Sequence, residues 1–202
     1  MQPEVLSNYP RGPILAENNY ILKRHLIKLV GGRFSIYSAS GALALLADQK
    51  GFKLKEEIRV YSDEQMTQPY FGIFARQIMD FSAAYDVVDL TNNTKIGALK
   101  RKGWHSMVRD EWIIMDPYDR EIGTVVEDSM LMALLRRFLS NLIPQNYDAI
   151  VGQAKVVDFR QTFNPFAYNL HIDFLATPES FDRRLGFAAA VLLAAIEGRQ
   201  KG

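Results

Sequence analysis

The run Leu185–Ile196, LGFAAAVLLAAI, constrains this chain more than any other stretch, because twelve consecutive residues carry no polar side chain. Charges bracket it, with Asp182, Arg183 and Arg184 before it and Glu197, Arg199 and Lys201 after it. Thr177-Pro178 reads as an N-cap followed by proline at the first helical position, and Gly198 as a C-terminal stop, so the expected helix covers residues 178–197. At 1.5 Å per residue such a helix is roughly 30 Å long. Its middle is apolar on every side, so it must be sheathed in protein or in lipid. Crossing a bilayer takes about 20 apolar residues, whereas a run of about 10–14 is the length of a core helix. Leu185, Phe187, Ala189, Val191, Leu192 and Ile196 are therefore expected in a core, and no transmembrane span is expected. Five of the twelve residues are alanine and one is glycine, so the rod is thin and other elements can close around it.

The chain before this helix supplies such elements. Short β-type runs fall at Tyr20–Lys28, Phe34–Tyr37, Leu43–Ala47, Ile58–Tyr61, Tyr70–Arg76, Tyr85–Leu90, Ile96–Lys100, Glu111–Met115 and Glu121–Val126. Turn residues separate many of them: Gly31-Gly32, Ser40-Gly41, Asn92-Asn93 and Pro117-Tyr118-Asp119. Closely spaced strands of this kind indicate a meander, a sandwich or a barrel. After residue 127 the pattern changes. Ser129 reads as the cap of a helix to about Leu139, with Leu131, Leu134, Leu135 and Phe138 on one side. Strand-like sequence returns over Ala149–Arg160 and Ala167–Phe174. Phe34–Leu46, Tyr85–Leu99 and Trp112–Val126 share one plan of apolar run, polar turn and second apolar run, which is a β-hairpin written three times.

The phrases DFSAAYDVVD (80–89), KIGALKRKGWHSMVRDEW (95–112), EIGTVVEDSMLMALLRRFL (121–139), FRQTFNPF (159–166) and DRRLGFAAAVLLAAIEGRQ (182–200) resemble bacterial members of the tubby C-terminal-like superfamily. That group also holds the phospholipid scramblases and the LURP-one-related proteins. The resemblance covers about residues 20–200. It implies a mainly β fold, a closed antiparallel β-barrel of about twelve strands around the hydrophobic C-terminal helix. Such a barrel would give the alanine-rich helix its apolar sheath, and closure would remove sheet edges.

With 202 residues and 48% hydrophobic content, one substantial domain is expected over 20–202, behind an irregular arm over 1–19 that carries Pro3, Pro10 and Pro13. The arm has no apolar stretch of the secretory type. The absence of cysteine excludes disulfides, cysteine–zinc sites and thiol catalysis, and fits a cytoplasmic protein.

Net charge is +1, which gives no nucleic-acid footprint, but the charges are segregated. No acid lies between Glu17 and Asp48, where Lys23, Arg24, Lys28 and Arg33 fall. None lies between Asp89 and Asp110, where Lys95, Lys100, Arg101, Lys102 and Arg109 fall. The next stretch, Asp110 to Asp128, is acidic apart from Arg120. Opposite blocks of this kind pair with each other or face water. The functional reading makes Lys95, Lys100, Arg101, Lys102 and Arg109 a basic face for an anionic phospholipid headgroup or another anion. Lys100 and Lys102 would share one side of a strand, with Arg101 opposite. The resemblance points to the same chemistry, since tubby-type domains use basic side chains on a β-surface for phosphoinositide headgroups.

No catalytic residue is assigned. His25, His105 and His171 lie far apart, and the chain has no GxSxG, Walker loop or GxGxxG. Asp86 and Asp89 sit on a strand-to-turn segment. Asp116, Asp119 and Glu121 have the donors for a hard cation without the EF-hand spacing, and aspartate is common at turns, so no metal and no cofactor is expected. Arg183 and Arg184 would stand at the rim of a barrel. The favoured reading is a non-enzymatic, membrane-peripheral domain that binds an anion or lipid headgroup. The alternatives are a scramblase-like protein with the C-terminal helix in the bilayer, an interaction protein with no lipid role, and a small hydrolase, for which no motif speaks.

Overall fold

Alternating inward and outward side chains divide the chain into strands that share one apolar interior. A computed structural model of the protein describes residues 15–25, 32–49, 57–76, 83–102, 111–128, 144–162 and 167–197. The strands are β1 (Asn19–His25), β2 (Gly32–Ser38), β3 (Leu43–Gln49), β4 (Ile58–Tyr61), β5 (Pro69–Ala75) and β6 (Ala84–Asp89). They continue with β7 (Thr94–Arg101), β8 (Glu111–Met115), β9 (Glu121–Glu127), β10 (Asn146–Val151), β11 (Ala154–Thr162) and β12 (Tyr168–Phe174). One helix follows, α1 (Arg183–Glu197). Every strand pairs antiparallel with its neighbours in sequence, and β1 closes on β12 from Asn19 opposite Asp173 to Arg24 opposite Tyr168. The result is a closed up-and-down barrel of twelve strands.

Alternation shows most plainly on β6, where Tyr85, Val87 and Asp89 are buried and their neighbours half-buried. Leu22, Phe34, Ile36, Leu45, Phe71, Ile73, Val87, Leu99, Ile114, Phe159, Leu170 and Ile172 are all essentially inaccessible. They form one cluster with the helix. A barrel of about eight strands can be filled by its own side chains, and a wider one encloses a space. Here α1 occupies that space: Arg183 through Ala195 is buried at every position. Leu185, Phe187, Ala189, Val191 and Leu192 are at most 5% exposed, as the sequence predicts; the Ile196 side chain lies outside the described residues. No helix among the described residues is long and apolar enough to cross a membrane.

Close approach of helix and wall depends on two glycines. A Cβ on Gly97 would stand 2.3 Å from the Met115 carbonyl oxygen and 3.1 Å from Leu185. A Cβ on Gly186 would stand 2.8 Å from the Phe174 ring. Tyr20, Phe174 and Phe187 stack edge to face around this point, with centroids 5.0–6.0 Å apart.

Three details differ from the sequence reading. The helix starts at Arg183, not at residue 178. Pro178 accepts a backbone hydrogen bond from Phe181 in a turn, and the Asp182 carboxylate accepts from the Arg184 N–H at 2.9 Å, so aspartate provides the cap that Thr177 was expected to provide. The stretch Ala149–Arg160 is two strands, not one, because Gly152 takes φ +60° in a two-residue hairpin turn. Gly32 opens β2 instead of forming a turn. The expected helix from Ser129 to Leu139 lies outside the described residues, as do His105, Arg109 and Asn164-Pro165.

Candidate functional site

Strand direction places every described hairpin turn at one end of the barrel: 39–42, 62–68, 90–93, 116–120 and 152–153. Residues 15–18 lead into β1 there, and 175–182 lead into α1 there. Among the described residues this hairpin end holds most of the buried charge. Arg184 Nη1 donates to Asp89 Oδ2 at 2.6 Å, and the two side chains are only 8% and 10% exposed. Asp182 takes the rest of the guanidinium edge. Asp89 is also held by the Thr91 N–H and hydroxyl at 2.8 and 2.6 Å. Burial pushes the Asp89 carboxyl up, but the hydrogen bonds from Thr91 and Arg184 outweigh it and leave its pKa below the usual value. Arg183 lies 4.0 Å from the Phe174 ring centre and donates to the Glu17 carbonyl and to Asn18 Oδ1. Both arginines stand at the rim, as expected, and tie the start of the helix to β6 and to the residues before β1.

A second network lies on the outer wall. Arg76 bridges Asp86 and Asp119, and Lys95 reaches the same two carboxylates at 3.1 and 2.6 Å. Lys95 and Arg76 hold the Asp119 carboxyl below its ordinary pKa. Asp116 accepts from the Tyr118 and Arg120 N–H groups and from the Arg120 side chain, fixing the β8–β9 turn in which Asp119 takes φ +63°. Asp116 and Asp119, two of the carboxylates considered for a hard cation, are thus occupied by arginine, lysine and backbone. Among the described residues no three His, Asp or Glu side chains are grouped to hold a metal.

Between these networks a cleft of about 230 Å³ opens at the hairpin end. Thr94, Lys95 and Ile96, the Asp116-Pro117 turn, Glu179-Ser180 and the helix start line it. Lys95, Arg184, Asp116 and Asp182 are each held by partners of their own. Glu179 makes no hydrogen bond or ion pair among the described residues.

Among the described residues the predicted basic side chains are spread along the wall and not gathered in one patch. Lys95 stands at the hairpin end inside the acidic network. Lys100 lies on the outer wall between Ala84 and Ile113, roughly 17 Å along the strand from Lys95. Arg101 is opposite Trp112, a buried residue, and so falls on the inner face, which matches the expected alternation. Lys102 follows on the outside and its ammonium meets Glu111 at 2.5 Å. Arg109 lies outside the described residues. Lys95 and Lys102 therefore pair with the acidic block over 110–128. Lys100 makes no ion pair among the described residues. Sequence reasoning missed the Asp89–Arg184 pair and the part of Arg76, since neither strand pairing nor 95 residues of separation is legible in a local pattern. The Arg183-Arg184 doublet at the head of an apolar helix was the usable signal. No protein-family model, curated protein or solved structure matches this chain.

Proposed function

We propose that the protein is a non-enzymatic, tubby-like and scramblase-related barrel that meets anionic phospholipid headgroups with the outer wall at Lys100 and Lys102. The observation that carries this reading is the filled lumen. A barrel that packs its own helix inside leaves its outer surface and rim for binding, and Lys100 stands on that surface beside half-buried Ile113. The family reading is supported by the twelve-strand barrel with its C-terminal helix, the architecture that the sequence resemblance implied. A lysine beside an anionic bilayer contributes about 1 kcal/mol, and the attraction fades beyond about 10 Å at 0.1 M salt.

The test is co-sedimentation with vesicles, with and without anionic lipid, at low and high salt. Lys100→Glu should lower binding to anionic vesicles at low salt and change little at high salt, with the melting temperature unmoved. Equal binding of Lys100→Glu and the parent at low salt would end the lipid reading for this wall. A second reading, an interaction domain without a lipid role, draws on the pairing of Lys95 and Lys102 with acids; it predicts no vesicle binding at either salt.

A further inference from the structure

The hairpin end has a charge unlike that of the whole chain. Its connecting segments carry Glu17, Asp63, Glu64, Asp116, Asp119, Glu179 and Asp182 against Arg120 alone, seven acids to one base and a net of −6. The chain as a whole is +1, so the remainder carries +7. Asp116, Asp119 and Asp182 are paired with Arg120, Arg76, Lys95 and Arg184, so the field of this end is carried by Glu17, Asp63, Glu64 and Glu179, which make no ion pair among the described residues. Among the described residues, the exposed large hydrophobics, Tyr118 and Leu175, both belong to this end. Tyr118 is presented on a turn that Asp116 fixes by three hydrogen bonds. The cleft lies in the same face, with Glu179, which makes no ion pair among the described residues, and Ser180 at its wall and Ile96 and Leu185 among its apolar lining. At about 230 Å³ it is smaller than the roughly 300–1,000 Å³ of small-molecule sites, a size suited to one long side chain.

We propose that the hairpin end docks a lysine- or arginine-rich segment of a protein partner, with one basic side chain seated in the cleft against Glu179. The acidic field draws the segment in, Tyr118 and Leu175 supply apolar contact, and the cleft sets the register. The surface is separate from the wall at Lys100, so the two readings stand or fall independently.

The probe is a fluorescein-labelled peptide of alternating lysine and serine, titrated by anisotropy at about 50 mM and about 300 mM salt. The parent protein should bind it at low salt and lose affinity at high salt. Glu179→Gln should weaken binding about fivefold, the loss of one well-placed ion pair, while leaving vesicle binding and the melting temperature unchanged. Tyr118→Ala should weaken it as well. Glu57→Gln, at the opposite end of the barrel, should leave it unchanged. Absence of binding at low salt, equal binding of a glutamate–serine peptide, or equal losses from Glu179→Gln and Glu57→Gln would each overturn the proposal.

Discussion

Arg184 and Asp89 meet at the barrel mouth with both side chains out of water. Desolvating two charges costs several kcal/mol, so such a pair is held in place by geometry more than it stabilises the fold. Removing one partner is another matter, because the remaining charge is left buried. Arg184→Met should destabilise by about 3–5 kcal/mol in chemical denaturation. Adding Asp89→Asn removes the stranded charge and keeps an acceptor for Thr91, so the double variant should be more stable than Arg184→Met alone by about 1 kcal/mol or more. A double variant no better than the single would mean that Arg184 contributes through its packing beside Tyr70, where the guanidinium lies 5.6 Å from the ring centre. Tyr70 itself is buried and its hydroxyl pKa is pushed up by that burial.

At the scale of elements, the helix and the wall need each other. Ala188, Ala190 and Ala194 are wholly inaccessible, and a large side chain at any of them would press on the barrel. Ala190→Arg places an unpaired cation in that interior and should cost more than about 4 kcal/mol, read as loss of the cooperative melt. A soluble variant with a normal melt would contradict the sheathed helix. These features were largely legible beforehand. An apolar run with no wet side demands a sheath, and β-hairpin phrases name the strands of β2–β3, β6–β7 and β8–β9. What escaped was finer. Thr177-Pro178 imitates a helix start that Asp182 actually makes. The Gly152 turn is too short to interrupt the apolar pattern of Ala149–Arg160. The basic block over residues 95–109 looked like one patch because a linear reading cannot see that folding brings Asp86 and Asp119 to Lys95 or Glu111 to Lys102.

For the whole molecule, ionisation sets the range of pH in which the barrel holds. Asp86, Asp89, Asp116 and Asp119 have folded pKa values below the ordinary carboxylate value: burial raises the first three, and their hydrogen bonds and cations outweigh it. A lowered folded pKa contributes stability above the unfolded value, near 3.9, and that contribution is lost as pH falls through the folded one. At the other limit, burial pushes the Tyr20 hydroxyl up to about 12 from 10.0. A raised folded pKa contributes stability that is present below about 10 and lost as pH rises toward the folded value. The melting temperature should therefore be level from about pH 5 to about pH 9 and fall on both sides. A midpoint that falls already between pH 7 and pH 5 would point to a group other than these aspartates.

The lumen-filling helix comes after all twelve strands in the chain. During synthesis the wall of the barrel therefore emerges before the rod on which it closes. Its first strand waits for a partner 154 residues later, as the Asn19–Asp173 contact shows, and its mouth waits for an arginine 166 residues beyond the Glu17 carbonyl. Long closures of this kind are slow, and unpaired strand edges stay open meanwhile. The barrel thus passes its growing stage with its most apolar face uncovered, and the segment made after its strands decides whether they close into a folded wall at all.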